Sequence, residues 1–120
     1  MILSFFLLAA LFGAPGTGPC QARLALQQQG NVLTVTGHCR NLLPTAERYR
    51  YELVLRREGP GGSSQNNQRG VFSAAPQEDV ALSQTRINTG PKDSYHIHLR
   101  VFDATGHILA QDSVIQNFVH

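Results

Sequence analysis

A chain of 120 residues has room for one domain, and its 42% apolar and 15% charged residues describe a folded unit rather than a disordered one. A formal net charge of +2 argues against the dense Lys/Arg cluster that nucleic-acid-binding domains carry. Nine of the ten basic residues are arginine, which favours planar, bidentate or stacked contacts over diffuse attraction.

The chain begins MILSFFLLAALFGA, an apolar run of signal-peptide length that is too short for a membrane span of roughly 20 residues. Small and turn-prone residues follow, from Ala14 to Pro19. The reading is a signal peptide over residues 1–22, cleaved after Gly16 or after Ala22, and a mature domain over 23–120 with no membrane insertion of its own. No Lys or Arg precedes the run, a departure from the usual pattern.

LALQQQGNVLTV reads as two strands around a turn near Gln29-Gly30. In that register Leu26 opposes Leu33, Leu24 opposes Val35 and Cys20 opposes Cys39, with both cysteines on the core side. A disulfide between Cys20 and Cys39 is expected, and would stabilise by about 3 kcal/mol through the loop it closes. The alternatives are two buried thiols, or loss of Cys20 with the signal peptide.

A loop from His38 to Glu47, containing Leu42, Leu43 and Pro44, then leads to RYRYELVLRREG, the strongest strand signal in the chain. Strand side chains alternate, so Tyr49, Tyr51, Leu53 and Leu55 share one face while Arg48, Arg50, Glu52, Val54 and Arg56 share the other. As a helix the same window would scatter its apolar residues. Gly59-Pro60-Gly61-Gly62 ends the strand, and SSQNNQRG reads as a polar flexible connection to Gly70. Val71–Ala74 is a short strand and Pro76–Asp79 a turn. Val80–Ile87 is a strand whose broken alternation predicts a bulge near Gln84. After the NTGPKD loop, Ser94–Asp103 turns Tyr95, Ile97, Leu99 and Val101 inward and His96, His98, Arg100 and Phe102 outward. A turn over 103–106 and a strand from His107 to Ile115 complete the series, and no helix is expected.

Seven strands at about ten-residue spacing, separated by Gly/Pro/Asn/Asp turns, predict an all-β immunoglobulin-like seven-stranded antiparallel β-sandwich. Asp93-Ser94-Tyr95 looks like that fold's tyrosine corner. The third and sixth strands are sheet neighbours in this topology. Their outer faces then join Arg48, Arg50, Val54 and Arg56 to His96, His98, Arg100 and Phe102.

YRYELVLRREGPGGSSQNNQRGVFSA, LSQTRIN and DSYHIHLRVFDATGHILAQDSV resemble the small periplasmic curli assembly chaperones of the CsgC/CsgH type, with CsgH the nearer branch. The order YEL, R-x-GPGGSSQ, RG-x-F, LS, IN and Y-x-x-x-L-x-x-FD-x-x-G carries the likeness over nearly the whole chain. It implies an immunoglobulin-like sandwich that keeps curlin-type amyloid subunits from forming fibres before secretion; separately, the chain is expected to need no cofactor and to be a monomer. The Cys-x-Cys pair of the better-known branch is absent, which puts redox chemistry in doubt.

Arg48, Arg50, Val54, Arg56, His96, His98, Arg100 and Phe102 are therefore the candidate client-binding residues, since guanidinium groups pair with carboxylates and lie over rings and amides. The plainer account is the solvated face of a sandwich. The SSQNNQRG segment, similar in composition to curlin repeats, could instead mimic a client strand, a plain connector being the duller reading. His96 and His98 share a face, but two imidazoles without a third ligand are a weak metal signal. With no nucleophile elbow, phosphate loop or HExxH spacing, and no paired carboxylates, the expectation is a binding protein and not an enzyme. An exported adhesion or structural module is the competing class.

Overall fold

The computed structural model describes residues 18–117, so most of the expected signal segment, residues 1–17, lies outside the described residues. Seven strands follow in order: β1 (Cys20–Gln29), β2 (Val32–Asn41), β3 (Glu47–Gly59), β4 (Gly62–Ala74), β5 (Asp79–Asn88), β6 (Ser94–Phe102) and β7 (Ile108–Gln116). They form two antiparallel sheets, ordered β1-β2-β5 and β4-β3-β6-β7, as the sandwich reading requires.

Alternation builds the core. Leu24, Leu33, Val35, Leu53, Leu55, Ile97 and Leu99 are buried between the sheets, joined at one end by Cys20, Cys39, Tyr49, Ala74 and Val101. Leu53 opposes Leu99 and Leu55 opposes Ile97 across β3 and β6, so the two long strands back the centre of one sheet.

Several expectations need correction. The first hairpin turns at Gly30-Asn31, which shifts its register by two: Leu26 opposes Val35, Ala22 opposes Cys39 and Cys20 opposes Asn41. Gly30 has a φ of 60°, the left-handed value that a tight turn of this kind needs. An even shift keeps every side chain on its predicted face, so Cys20 and Cys39 are still core residues, at 4% and 0% exposure. The expected disulfide is not formed: both are free thiols, joined by a hydrogen bond. That bond to Cys20, then burial, pushes the Cys39 thiol far above its ordinary range. Because β1 begins at Cys20, cleavage after Ala22 would remove three residues of that strand, whereas cleavage after Gly16 would leave it whole.

Second, residues 63–70 are not a loose connector. They belong to β4, which pairs with β3 without interruption from Glu47↔Ala74 to Gly59↔Gly62. The Pro60-Gly61 turn is tight enough to hold a run of Ser, Gln and Asn in the ladder despite its poor strand propensity. Third, β2 continues to Asn41, so the loop that follows is shorter than expected. Fourth, Tyr95 packs on the core, and no hydrogen bond from its hydroxyl occurs among the described residues, so a tyrosine corner is not formed there. The bulge expected near Gln84 falls two residues earlier, at Leu82, opposite the Gly37/His38 step, and lets Leu82 and Ser83 both point inward.

Side-chain hydrogen bonds fasten the sheets. Tyr51 Oη donates to Leu82 O at 3.2 Å, from the four-stranded sheet to the three-stranded one. Its ring reaches there by lying over Gly70, where a Cβ would stand 2.7 Å from Tyr51 Cε1. Gly70→Ala should displace the ring and cost about 1–3 kcal/mol, typical of overpacking, seen as a lower urea midpoint. An unchanged midpoint would mean that the ring can move freely. At the other seam, Asp112 Oδ2 accepts from Leu24 N at 2.9 Å, joining β7 to β1.

Candidate functional site

Register decides the outer face of the four-stranded sheet. Across β3 and β6, Arg50 lies opposite Phe102, Glu52 opposite Arg100, Val54 opposite His98 and Arg56 opposite His96. Arg48 continues the same side of β3, beyond the end of β6. All eight candidate residues thus share one surface, with Arg48, Arg50, Arg56 and His96 exposed and the other four half-buried.

Sequence reasoning missed what the flanking strands add. β4 places Gln65, Asn67, Arg69 and Val71 beside Arg56, Val54, Glu52 and Arg50. β7 places Ile115, Ser113, Gln111 and Ile108 beside His96, His98, Arg100 and Phe102. The contribution of β7 could have been read from its alternation. That of β4 could not, because its polar run carries no strand signal.

The charges form a pattern. Glu52 sits at the centre between Arg69, at 3.5 Å, and Arg100, also at 3.5 Å. Among the described residues, no carboxylate forms an ion pair with Arg48, Arg50 or Arg56. Their guanidinium groups are open to a ligand, and a contact made there stays partly hydrated and is worth below about 1 kcal/mol. His98 Nε2 is 3.0 Å from Gln111 Oε1, which holds that ring in the sheet plane's polar row.

One end of the face is more apolar. Val71, Phe102 and Ile108 flank Arg50 in a single row, with Val71 54% and Ile108 50% exposed. A groove of about 490 Å³ opens there, lined by Arg50, Tyr51, Glu52, Arg69, Gly70, Val71, Phe102 and Gly106. Gly106, with a φ of 93°, lies in the β6–β7 turn. Asp103 holds that turn by accepting from Thr105 N at 2.9 Å, Thr105 Oγ1 at 2.7 Å and His107 N at 3.0 Å.

Those bonds, the Thr105 hydroxyl foremost, lower the Asp103 pKa from its ordinary 3.8 to about 2. The folded-state value is depressed, so the turn is held at neutral pH and released as pH falls from 3.8 through about 2. Thr105→Ala should raise that titration midpoint in a carboxyl NMR series. A midpoint unmoved by the substitution would show that the hydroxyl contributes nothing.

The opposite outer face is different in kind. Arg23, His38 and Arg40 gather around Asp79, at 3.3, 3.8 and 3.9 Å. Burial, then Arg23, lowers the His38 pKa against the pull of Asp79, so this imidazole is neutral at physiological pH. No group of three or more His, Cys, Asp or Glu arranged to hold a metal occurs among the described residues.

No protein-family profile matches the chain, and no curated protein matches it in sequence. Solved structures do match. CsgH of R. palustris superposes with a TM-score of 0.62 at 20% identity, over 80% of this chain and 91% of that one. The E. coli curli protein CsgC superposes with a TM-score of 0.66 at 24% identity, over 78% of this chain and 96% of that one. A β-glucuronidase of Bacteroides uniformis matches with a TM-score of 0.58 at 14% identity, over 83% of this chain but only 14% of the enzyme. The sandwich thus occurs both as a free-standing protein and as one part of a large enzyme, and the chain has the fold of CsgH and CsgC, as its sequence resemblance implied.

Proposed function

We propose that the chain is an exported, periplasmic chaperone-like inhibitor of curli amyloid, which holds curlin-type subunits on the outer face of β4-β3-β6-β7 and breaks no bonds. Amyloid grows by adding strands to an exposed edge, with amide ladders and stacked rings strengthening the stack. A surface that engages an extended, polar segment transiently competes with that addition. Arginine suits the task, because one planar group can pair with a carboxylate or lie over an aromatic ring or amide.

The observation that carries this reading is the register of β3 with β6, which gathers Arg50, Arg56, Arg100, His96, His98 and Phe102 on one face. The match over 91% of CsgH and 96% of CsgC supports it, since those are near-complete chains rather than parts of an enzyme. No helix among the described residues is long and apolar enough to cross a membrane.

The test is fibrillation of purified curlin, followed by a fluorescent amyloid dye, with the chain present at substoichiometric ratio. A lengthened lag that alanines at Arg50, Arg56 and Arg100 abolish is the expected result. No effect of the unmodified chain on the lag would overturn the assignment. It would leave the structural or adhesion module, for which the β-glucuronidase match is the one supporting observation.

A further inference from the structure

Most of the sandwich's strand edges are occupied or guarded. The seam between β1 and β7 is closed by Asp112, an inward carboxylate that takes the Leu24 N–H. The lower part of β4 is tied to β5 by the hydrogen bond from Gln68 to Thr85. Such devices are how sheet proteins avoid unplanned pairing.

The upper part of β4 has none of them. Gly62 to Asn67 is exposed at every position, so neither face of this stretch is covered by the second sheet. It is an edge strand, paired only with β3, and every second residue turns its N–H and C=O outward. Ser63, Ser64, Gln65, Asn66, Asn67 and Gln68 include no charge and no proline, and the ladder behind them has no bulge. That leaves a straight, uncharged, unpaired edge.

We propose that this edge pairs with the same edge of a second copy, antiparallel about Asn66, so that two four-stranded sheets become one. A two-fold axis normal to the sheet keeps both outer faces on the same side, so like-facing residues must meet. Asn66 then meets Asn66, Gln65 meets Asn67 and Ser64 meets Gln68, amide or hydroxyl against amide throughout. The first charge in the strand, Arg69, meets Ser63. No like charges oppose, and every side chain from Ser63 to Gln68 can donate and accept, while Arg69 donates to the Ser63 hydroxyl oxygen.

The segment is thus self-complementary, which selects a second copy over an apolar or charged partner strand. The pairing also stops at two, because an isologous contact uses both edges. It replaces the monomer expected from sequence, and it does not depend on the proposed function.

The contact is a single strand pair, below the area of a stable interface, so the dimer is weak and concentration-dependent. Sedimentation equilibrium of the mature chain up to about 1 mM, the weak end of measurable association, should show a monomer–dimer mixture. Amides of residues 63–69 should gain hydrogen-exchange protection as concentration rises. Asn66→Lys sets two ammonium groups against each other at the axis and should weaken association about fivefold by like-charge opposition. Gln27→Lys, the same charge change on exposed β1 of the other sheet, should leave it unchanged. The substituted side chain is solvent-exposed, so folding is checked simply by circular dichroism.

A monomer at every concentration would overturn the inference. So would a dimer that Asn66→Lys leaves intact, since the contact would then lie elsewhere. So would protection of the 63–69 amides by an added Ser-Gln-Asn-Asn-Gln peptide with no dimer in its absence.

Discussion

Asn41→Ala should lower the unfolding free energy by about 3–4 kcal/mol, more than any single apolar truncation of one methylene, because it orphans buried backbone. The side chain is fully buried, with 0% exposure. Its Nδ2 donates to Thr45 O at 2.9 Å, Ala74 O at 3.1 Å and Ala75 O at 3.2 Å. Its Oδ1 accepts from Leu43 N at 3.1 Å and from Tyr49 Oη at 3.0 Å. Its backbone is engaged as well, with Asn41 N donating to Glu78 O and Gln77 N donating to Asn41 O. One amide therefore ties the end of β2 to the start of β3, the end of β4 and the turn before β5.

Removing it leaves several buried polar groups without partners, each worth about 1–3 kcal/mol, partly recovered where water enters. For a domain of this size that is a fall in Tm of roughly 12–30 °C. Tyr49→Phe removes one bond of the five and should cost only about 1 kcal/mol. Asn41→Asp should be at least as damaging as alanine at neutral pH, because a carboxylate would face three carbonyl oxygens. The measurement is thermal unfolding by circular dichroism. If alanine costs under about 1 kcal/mol, the network is ornamental.

The second large effect is on fibrillation. Replacing Arg50, Arg56 and Arg100 together by alanine should reduce inhibition about tenfold or more, with Tm nearly unchanged. Exposed contacts of this type contribute below about 1 kcal/mol each, so three together approach 2 kcal/mol. Glu52→Gln should act in the opposite direction. It removes the central negative charge and frees Arg69 and Arg100, each 3.5 Å from it. Both effects should shrink with added salt, since the Debye length falls from about 10 Å at 0.1 M to 3 Å at 1 M. The assay is the dye-monitored lag time. A variant series in which Glu52→Gln and the triple alanine move the lag in the same direction would rule out a charge-guided mechanism.

β3 was legible because Tyr49, Tyr51, Leu53 and Leu55 alternate with charged residues, and alternation on that scale has one physical solution. β4 was not, because Ser63–Gln68 has no apolar side to bury and no propensity to extend. It is a strand only because β3 supplies a ladder and the Pro60-Gly61 turn folds the chain back onto it. The cysteines show the same division. Their face followed from periodicity, but their register depended on where the turn fell, which the QQQGN run leaves ambiguous.

The sequence by itself determined the strand count, the all-β class, the inward set on β3 and β6, and the outward set that includes Arg50, Arg56, Arg100 and Phe102. These depend on side-chain period and turn residues, which are local. Only the tertiary structure decided that Asn41 would be a buried hub, that Glu52 would stand between Arg69 and Arg100, and that β4 would offer an open edge. Each of those joins residues far apart in the chain, and no local pattern encodes which strands become neighbours.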